Sequence, residues 1–136
     1  MNSNTGSIFV SARDSVTPFI TKDGSVIREI LAPAVAPGII QKQSLAEAIV
    51  PSGETTDAHY HPITEEIYYI LRGEGRIQLG NEVRPVVPGD AIAIPPGVVH
   101  RIHNPGSDDL VFLCCCVPHY THEDTILLEL TELDPG

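Results

Sequence analysis

Between Val26 and Val117 the chain alternates short apolar runs with turn residues at close spacing. The runs are Val26–Leu31, Ile67–Leu71, Arg76–Leu79, Glu82–Val87, Ala91–Ile94, Val98–His103 and Leu110–Val117. The breaks are Gly73-Glu74-Gly75, Gly80-Asn81, Pro88-Gly89-Asp90, Pro95-Pro96-Gly97, Asn104-Pro105-Gly106 and Pro118. Runs this short, closed by glycine and proline, predict strands rather than helices, and their cadence predicts an antiparallel sandwich or barrel. Ile8–Val10 is expected to form a further short strand. A turn at Asp23-Gly24 precedes Val26–Leu31, and Ala32–Gly38, with two prolines, is expected to be loop. Gln43–Val50 reads either as a weakly alternating strand or, around Leu45-Ala46-Glu47-Ala48, as a helical turn. The tail His122–Leu130 reads as helix or edge strand, and residues 1–7 as a frayed end. Ile67–Leu71 and Leu110–Val117 are apolar on both faces, so one face must line an interior and the other must meet a second sheet, a terminal strand or another subunit.

Composition sharpens this picture. At 136 residues the chain is expected to be a single domain, spanning 1–136, with 12 Pro and 11 Gly favouring turns over helices. The formal charge of −10, from 18 acidic and 8 basic residues, argues against nucleic acid or an anionic membrane as partner. No apolar run approaches the ~20 residues of a membrane-spanning helix. Met1-Asn2-Ser3-Asn4-Thr5-Gly6 lacks the basic-then-apolar layout of a signal peptide, so a cytoplasmic location is expected. The three cysteines are consecutive, Cys114-Cys115-Cys116, which is no disulfide framework and fits a reducing compartment.

The candidate chemistry starts at His59 and His61. Two residues apart on a strand, they share one face at roughly 6–7 Å along the chain, close enough for both rings to lean onto one ion. A carboxylate follows past Pro62, as Glu65 or Glu66, and a third histidine comes at His100. Imidazoles with one carboxylate suit a divalent transition metal.

Two segments carry a resemblance. Gly53, His59, His61, Glu66 and Gly73 fit the pattern G-x5-H-x-H-x3–4-E-x6-G, and Gly89, Pro95, Gly97, His100 and Asn104 fit G-x5-P-x-G-x2-H-x3-N. These resemble the two motifs of the cupin superfamily, and the likeness covers residues 53–104. It implies an all-β cupin fold, a double-stranded β-helix or jelly-roll-like small barrel with short terminal extensions. It also implies one divalent ion (manganese, iron, nickel, copper or zinc) on His59, His61, Glu66 and His100, and a homodimer in which the arm 1–31 takes part, Ile8–Val10 or Val26–Leu31 crossing to a neighbour's sheet. Only Glu66 keeps the motif's distance to Gly73, and it shares strand parity with Tyr68 and Ile70. The Cys-Cys-Cys-x-Pro stretch and the later His-Glu-Asp-Thr resemble the end of small stand-alone cupins described as mannose-6-phosphate-isomerase-like.

Four donors leave one or two coordination positions open, as in catalytic rather than closed sites. A small polar organic substrate inside the barrel is therefore expected. The chemistry is either oxygenase-like or an isomerase or lyase reaction with the ion as Lewis acid; the alternative is a non-catalytic ligand-binding cupin. Tyr68, two beyond Glu66, is the candidate general acid. Tyr60 and Tyr69 should point away. Gln78 or Arg76 reaches the cavity only if its strand face turns inward. His103, at odd offset from His100, should face outward, and His119 and His122 read as loop histidines. Cys114 and Cys116 share a face opposite Cys115, and are read as small buried hydrophobes or, alternatively, as pocket-lining thiols.

Overall fold

A computed structural model describes residues 8–128. Its strands are β1 (Phe19–Ile20), β2 (Val26–Leu31), β3 (Ser44–Val50), β4 (His59–Tyr60), β5 (Glu65–Arg72), β6 (Gly75–Leu79), β7 (Glu82–Val86), β8 (Ala91–Ile94), β9 (His100–His103), β10 (Leu110–Val117) and β11 (Ile126–Leu127). A single 3-10 turn at Arg13–Ser15 is the only helical element among the described residues. The strands make two sheets, ordered β1-β2-β3-β10-β5-β8 and β11-β4-β9-β6-β7. Every strand pair is antiparallel. Two facing antiparallel sheets with strands returning from distant parts of the chain make the jelly roll expected from the sequence.

The two sheets enclose an apolar core, with Phe112, Ile70, Ile102 and Leu110 fully buried. Along each inward stripe the core gives way to polar groups in one direction. On β3 it runs Val50, Ala48, Ala46, Ser44; on β5 Ile70, Tyr68, Glu66; on β10 Leu110, Phe112, Cys114, Cys116; on β9 Ile102, His100. All these residues are buried. Period-two alternation keeps each series on one face, so the barrel is apolar at one end and polar at the other.

Turn chemistry sets this register. Gly73 closes β5 at φ 84°, and a Cβ there would sit 2.5 Å from the Asp109 carbonyl oxygen, so the β5–β6 turn packs against the start of β10 only with glycine. Asn104, which is fully buried, ends β9; its Nδ2 donates to the carbonyls of Val50 and Asp108 at 2.8 Å each, and its Oδ1 accepts the Gly106 N–H at 2.9 Å.

Three local expectations change. Ile8–Val10 is not a strand: it has no ladder partner and lies exposed, Ile8 at 90%. The sheet's edge is instead β1, just after Pro18. Val98 and Val99 belong to the turn, where the Val98 N–H reaches the Pro95 carbonyl at 3.3 Å, and the strand begins at His100. The ambiguous Gln43–Val50 stretch is strand, because Ala46 and Ala48 fit the inner face between two neighbours. The tail forms the short edge strand β11; residues 129–130 of that stretch and residues 1–7 lie outside the described residues. The chain 32–38 is loop, as expected.

Outside the core, β2 pairs with both β1 and β3 in its own sheet. The outer face of the six-stranded sheet carries apolar cross-strand rows, Leu45–Cys115–Ile67–Ala93 and, beside it, Leu113–Tyr69–Ala91. Ile67 and Tyr69 are exposed there, so no element among the described residues covers this second apolar face of β5, which the sequence predicts to pack against a further sheet, a terminal strand or another subunit.

Candidate metal centre

Four side chains from three strands and one strand end meet at the polar end of the barrel. β4 and β9 are paired so that His59 lies directly opposite His100. His61 follows the end of β4, where the Gly97 N–H bonds its carbonyl at 2.8 Å and ties it to the turn before β9. Glu66 comes across from the other sheet on β5. One donor atom from each of His59, His61, Glu66 and His100 lies within 4.8 Å of the others, and all four residues are buried. Donors about 2.1 Å from one ion lie at most about 4.2 Å apart, so the set needs to draw in by only about half an ångström.

The hydrogen bonds fix which nitrogen faces inward. The Nδ1 atoms of His59, His61 and His100 sit 2.8, 3.0 and 2.9 Å from the backbone carbonyls of Asp57, Asp124 and Val98. A carbonyl only accepts, so each Nδ1 carries the proton and each Nε2 presents a lone pair to the cavity. Glu66 Oε1 lies 3.2 Å from His61 Nε2 and 3.4 Å from His100 Nε2. Glu66 Oε1 and His100 Nε2 are buried without a hydrogen-bond partner. Lone pairs facing one another at depth are costly until a cation or a proton sits among them. That arrangement, with a nitrogen-rich donor set, fits a divalent transition ion held by these four residues.

Electrostatics point the same way. Burial works to raise the Glu66 carboxyl, but His100 and His61 outweigh it and hold its pKa down at about 2. Burial works to lower His61, and Glu66 with the Asp124 carbonyl more than offsets this, so His61 is raised. His59 is lowered, by burial first and the His100 imidazole next.

Around the donors lies a cavity of about 40 Å³ lined by Tyr68, Cys114, Cys116, Tyr120 and Thr125, among others. Tyr68 is the inward tyrosine; its ring meets that of His100 edge-on at 5.9 Å and that of Phe112 at 4.6 Å. Burial, then Glu66, pushes its phenol pKa well up, so it stays protonated as a donor. Cys114 and Cys116 are not only core: both line the cavity, and the Cys116 thiol donates to Glu66 Oε2 at 3.3 Å. Burial and the Glu66 charge raise both thiols, keeping them as S–H.

Other expectations resolve by strand parity. Glu65 is exposed, and so is Tyr69. Arg76 and Gln78 face outward beside His103, which bonds Thr55 at 2.6 Å. His119 and His122 do not line the cavity, but their loop does serve it. Asp124 holds His61 through its carbonyl and caps the N–H groups of Ile63 and Thr64 with its carboxylate. The sequence reading missed Asp124, Tyr120, Thr125 and Asp23, whose Oδ2 lies 3.6 Å from His59 Nε2. Asp23 carried only a turn signal, and no spacing rule links it to a histidine so far along the chain.

A jelly roll with three imidazoles and a carboxylate converging at one end defines a class of small β-barrel proteins whose donor set could hold one metal ion. The sequence pattern of the cupin domain matches residues 46–116, and this chain belongs to the cupin family. It is similar to the uncharacterised protein MJ1618 of Methanocaldococcus jannaschii, 54% identical over 116 residues, 85% of this chain and 91% of that protein. Among solved structures it resembles a predicted oxalate decarboxylase from Thermotoga maritima, with TM-score 0.70 and 28% identity, covering 81% of this chain and 99% of that one. The Streptomyces nucleoside dehydratase Pac13, at TM-score 0.72 and 15% identity over 90% of this chain and 92% of its own, shares the fold. No helix among the described residues is long and apolar enough to cross a membrane.

Proposed function

We propose that this chain is a mononuclear metal-dependent enzyme that acts on a small polar organic molecule by isomerase or lyase chemistry. His59, His61, Glu66 and His100 would hold the ion. The observation that carries the proposal is the pair of orphaned buried atoms, Glu66 Oε1 and His100 Nε2, 3.4 Å apart. When bound, a divalent ion supplies Lewis-acid polarisation of a carbonyl or hydroxyl oxygen. The chain does the rest. The carbonyls of Asp57, Asp124 and Val98 lock the ring tautomers. Cys116 holds Glu66 Oε2 away from the centre, leaving Oε1 as the donor. Tyr68, protonated and inward, supplies a proton to an oxygen that gains charge during reaction.

Non-redox chemistry is favoured over oxygen chemistry by the two thiols that line the same cavity. Although both are held as S–H, Cys114 and Cys116 line the cavity, so a strong oxidant formed there would meet oxidisable sulfur. The named activity of the Thermotoga maritima relative, a predicted oxalate decarboxylase, supports a small oxygen-rich substrate as well.

The test follows solvent deuterium into the carbon next to a carbonyl. A panel of small hydroxy-ketones and keto acids is incubated in heavy water with zinc- or manganese-loaded protein and read by NMR. Exchange or conversion should appear with metal, disappear in His100→Ala and fall at least ~10-fold in Tyr68→Phe. A protein that binds one ion and exchanges nothing, while an iron-loaded sample consumes oxygen, contradicts the proposal.

A further inference from the structure

Asp23 is tied down in a way that a turn residue does not need. Its Oδ1 accepts three hydrogen bonds, from Thr21 Oγ1 at 2.6 Å, Ser25 Oγ at 2.7 Å and the Ser25 N–H at 3.0 Å. Its carbonyl accepts the Asp57 N–H at 2.7 Å, and the Asp57 carbonyl in turn orients His59. The hairpin between β1 and β2 therefore grips the segment that sets a metal ligand. Asp23 is 8% exposed, and with Oδ1 saturated, Oδ2 is turned to the cavity, 3.6 Å from His59 Nε2.

Asp23 is not one of the four mutually close donors. It stands beside them, where a molecule occupying an open coordination position would meet it. The cavity wall contains the further carboxylates Glu29 and Glu66, and no Lys or Arg. A polyanion would meet negative oxygen without any compensating cation from the chain. A hydroxyl hydrogen would meet a fixed acceptor.

Resting on the metal-centre reading above, we propose that Asp23 is a specificity-determining residue. Its Oδ2 accepts a hydrogen bond from the hydroxyl of a neutral, hydroxyl-bearing ligand on the ion, and its charge disfavours dicarboxylate anions such as oxalate. The substrate class is thus a small neutral hydroxy-carbonyl compound.

Asp23→Asn tests it with chemistry fixed by the backbone. The Ser25 N–H can only donate, so the amide oxygen must stay at the Oδ1 position and the amide nitrogen must take the place of Oδ2. An acceptor with charge becomes a neutral donor at one point. Both proteins are loaded with Co(II), and hydroxyacetone and oxalate are titrated against the visible absorption of the ion. Co(II) affinity should change by less than ~threefold, oxalate should bind the variant at least ~10-fold more tightly, and hydroxyacetone at least ~threefold more weakly. If Co(II) binds both proteins and the oxalate-to-hydroxyacetone preference does not move, the Asp23 inference fails and the metal centre stands. A drop in Co(II) affinity of ~100-fold or more makes Asp23 a direct ligand and also overturns the inference. If the wild-type protein takes up no Co(II), the metal-centre reading itself has failed. Asp23→Ser, which drops the charge and keeps an acceptor for the Ser25 N–H, gives the same readout should Asp23→Asn not fold.

Discussion

At the scale of single residues, a proton and a metal ion compete for one place. His61 Nε2 and Glu66 Oε1 lie 3.2 Å apart, so a proton bridges them below the raised His61 pKa when no cation lies between them. Burial alone would lower His61, yet the carboxylate raises it above its ordinary 6.5. In the ion-free protein the sign is that of a gained partner: the protonated pair contributes stability below pH 6.5, lost as pH rises through the raised value. Glu66 works from the other side, its contribution present above pH 4.5 and lost as pH falls toward about 2. His59, lowered by burial, is already unprotonated near neutrality and offers its lone pair. Metal binding should therefore displace one proton from His61. Apparent affinity should climb by up to about tenfold per pH unit below the His61 value and flatten above it. Competition titrations between pH 6 and 8 measure this slope; a flat profile across that range removes the shared proton from the account.

At the scale of elements, each strand contributes by where its inward stripe turns polar, and each turn by how tightly it lets strands close. Gly73 is the sharper case, since a Cβ there meets the Asp109 carbonyl at 2.5 Å and the Leu110 Cα at 3.0 Å. Gly80, also at positive φ, has nothing within 4 Å. Gly73→Ala should cost at least about 2 kcal/mol, and Gly80→Ala about 1 kcal/mol or less. Urea unfolding compares them, and equal costs would mean the β5–β6 turn does not press on β10 as described. Period-two alternation and Gly/Pro punctuation made most strands legible, because each is a local property of a few residues. The four donors were legible because their spacings lie within two short stretches. Asp23 and Asp124 were not. They reach the centre from a hairpin and a tail loop far off in the chain, and their roles exist only once β1–β2 and the loop after β10 fold back over it. Ile8–Val10 misled for the converse reason: apolar β-branched residues without a partner strand do not make a ladder.

At the scale of the whole molecule, the two sheets are joined at one end by apolar packing and at the other by polar groups. His59 and His100 belong to one sheet and Glu66 to the other, so an ion held by all of them fastens the open end of the barrel. The cavity wall beside the four donors carries the carboxylates of Asp23, Glu29 and Glu66 and no Lys or Arg. That fastening would depend on a single event, the sharing of one cation by residues from both sheets. X-ray absorption at the metal edge, on protein purified without added metal and quantified by elemental analysis, tests that event most directly. The account predicts one first-row divalent ion per chain, with three imidazole nitrogens and a carboxylate oxygen at about 2.0–2.2 Å, and loss of the ion in His100→Ala. Protein that carries no stoichiometric ion and takes none up on addition, or an ion whose shell lacks imidazole, would contradict it.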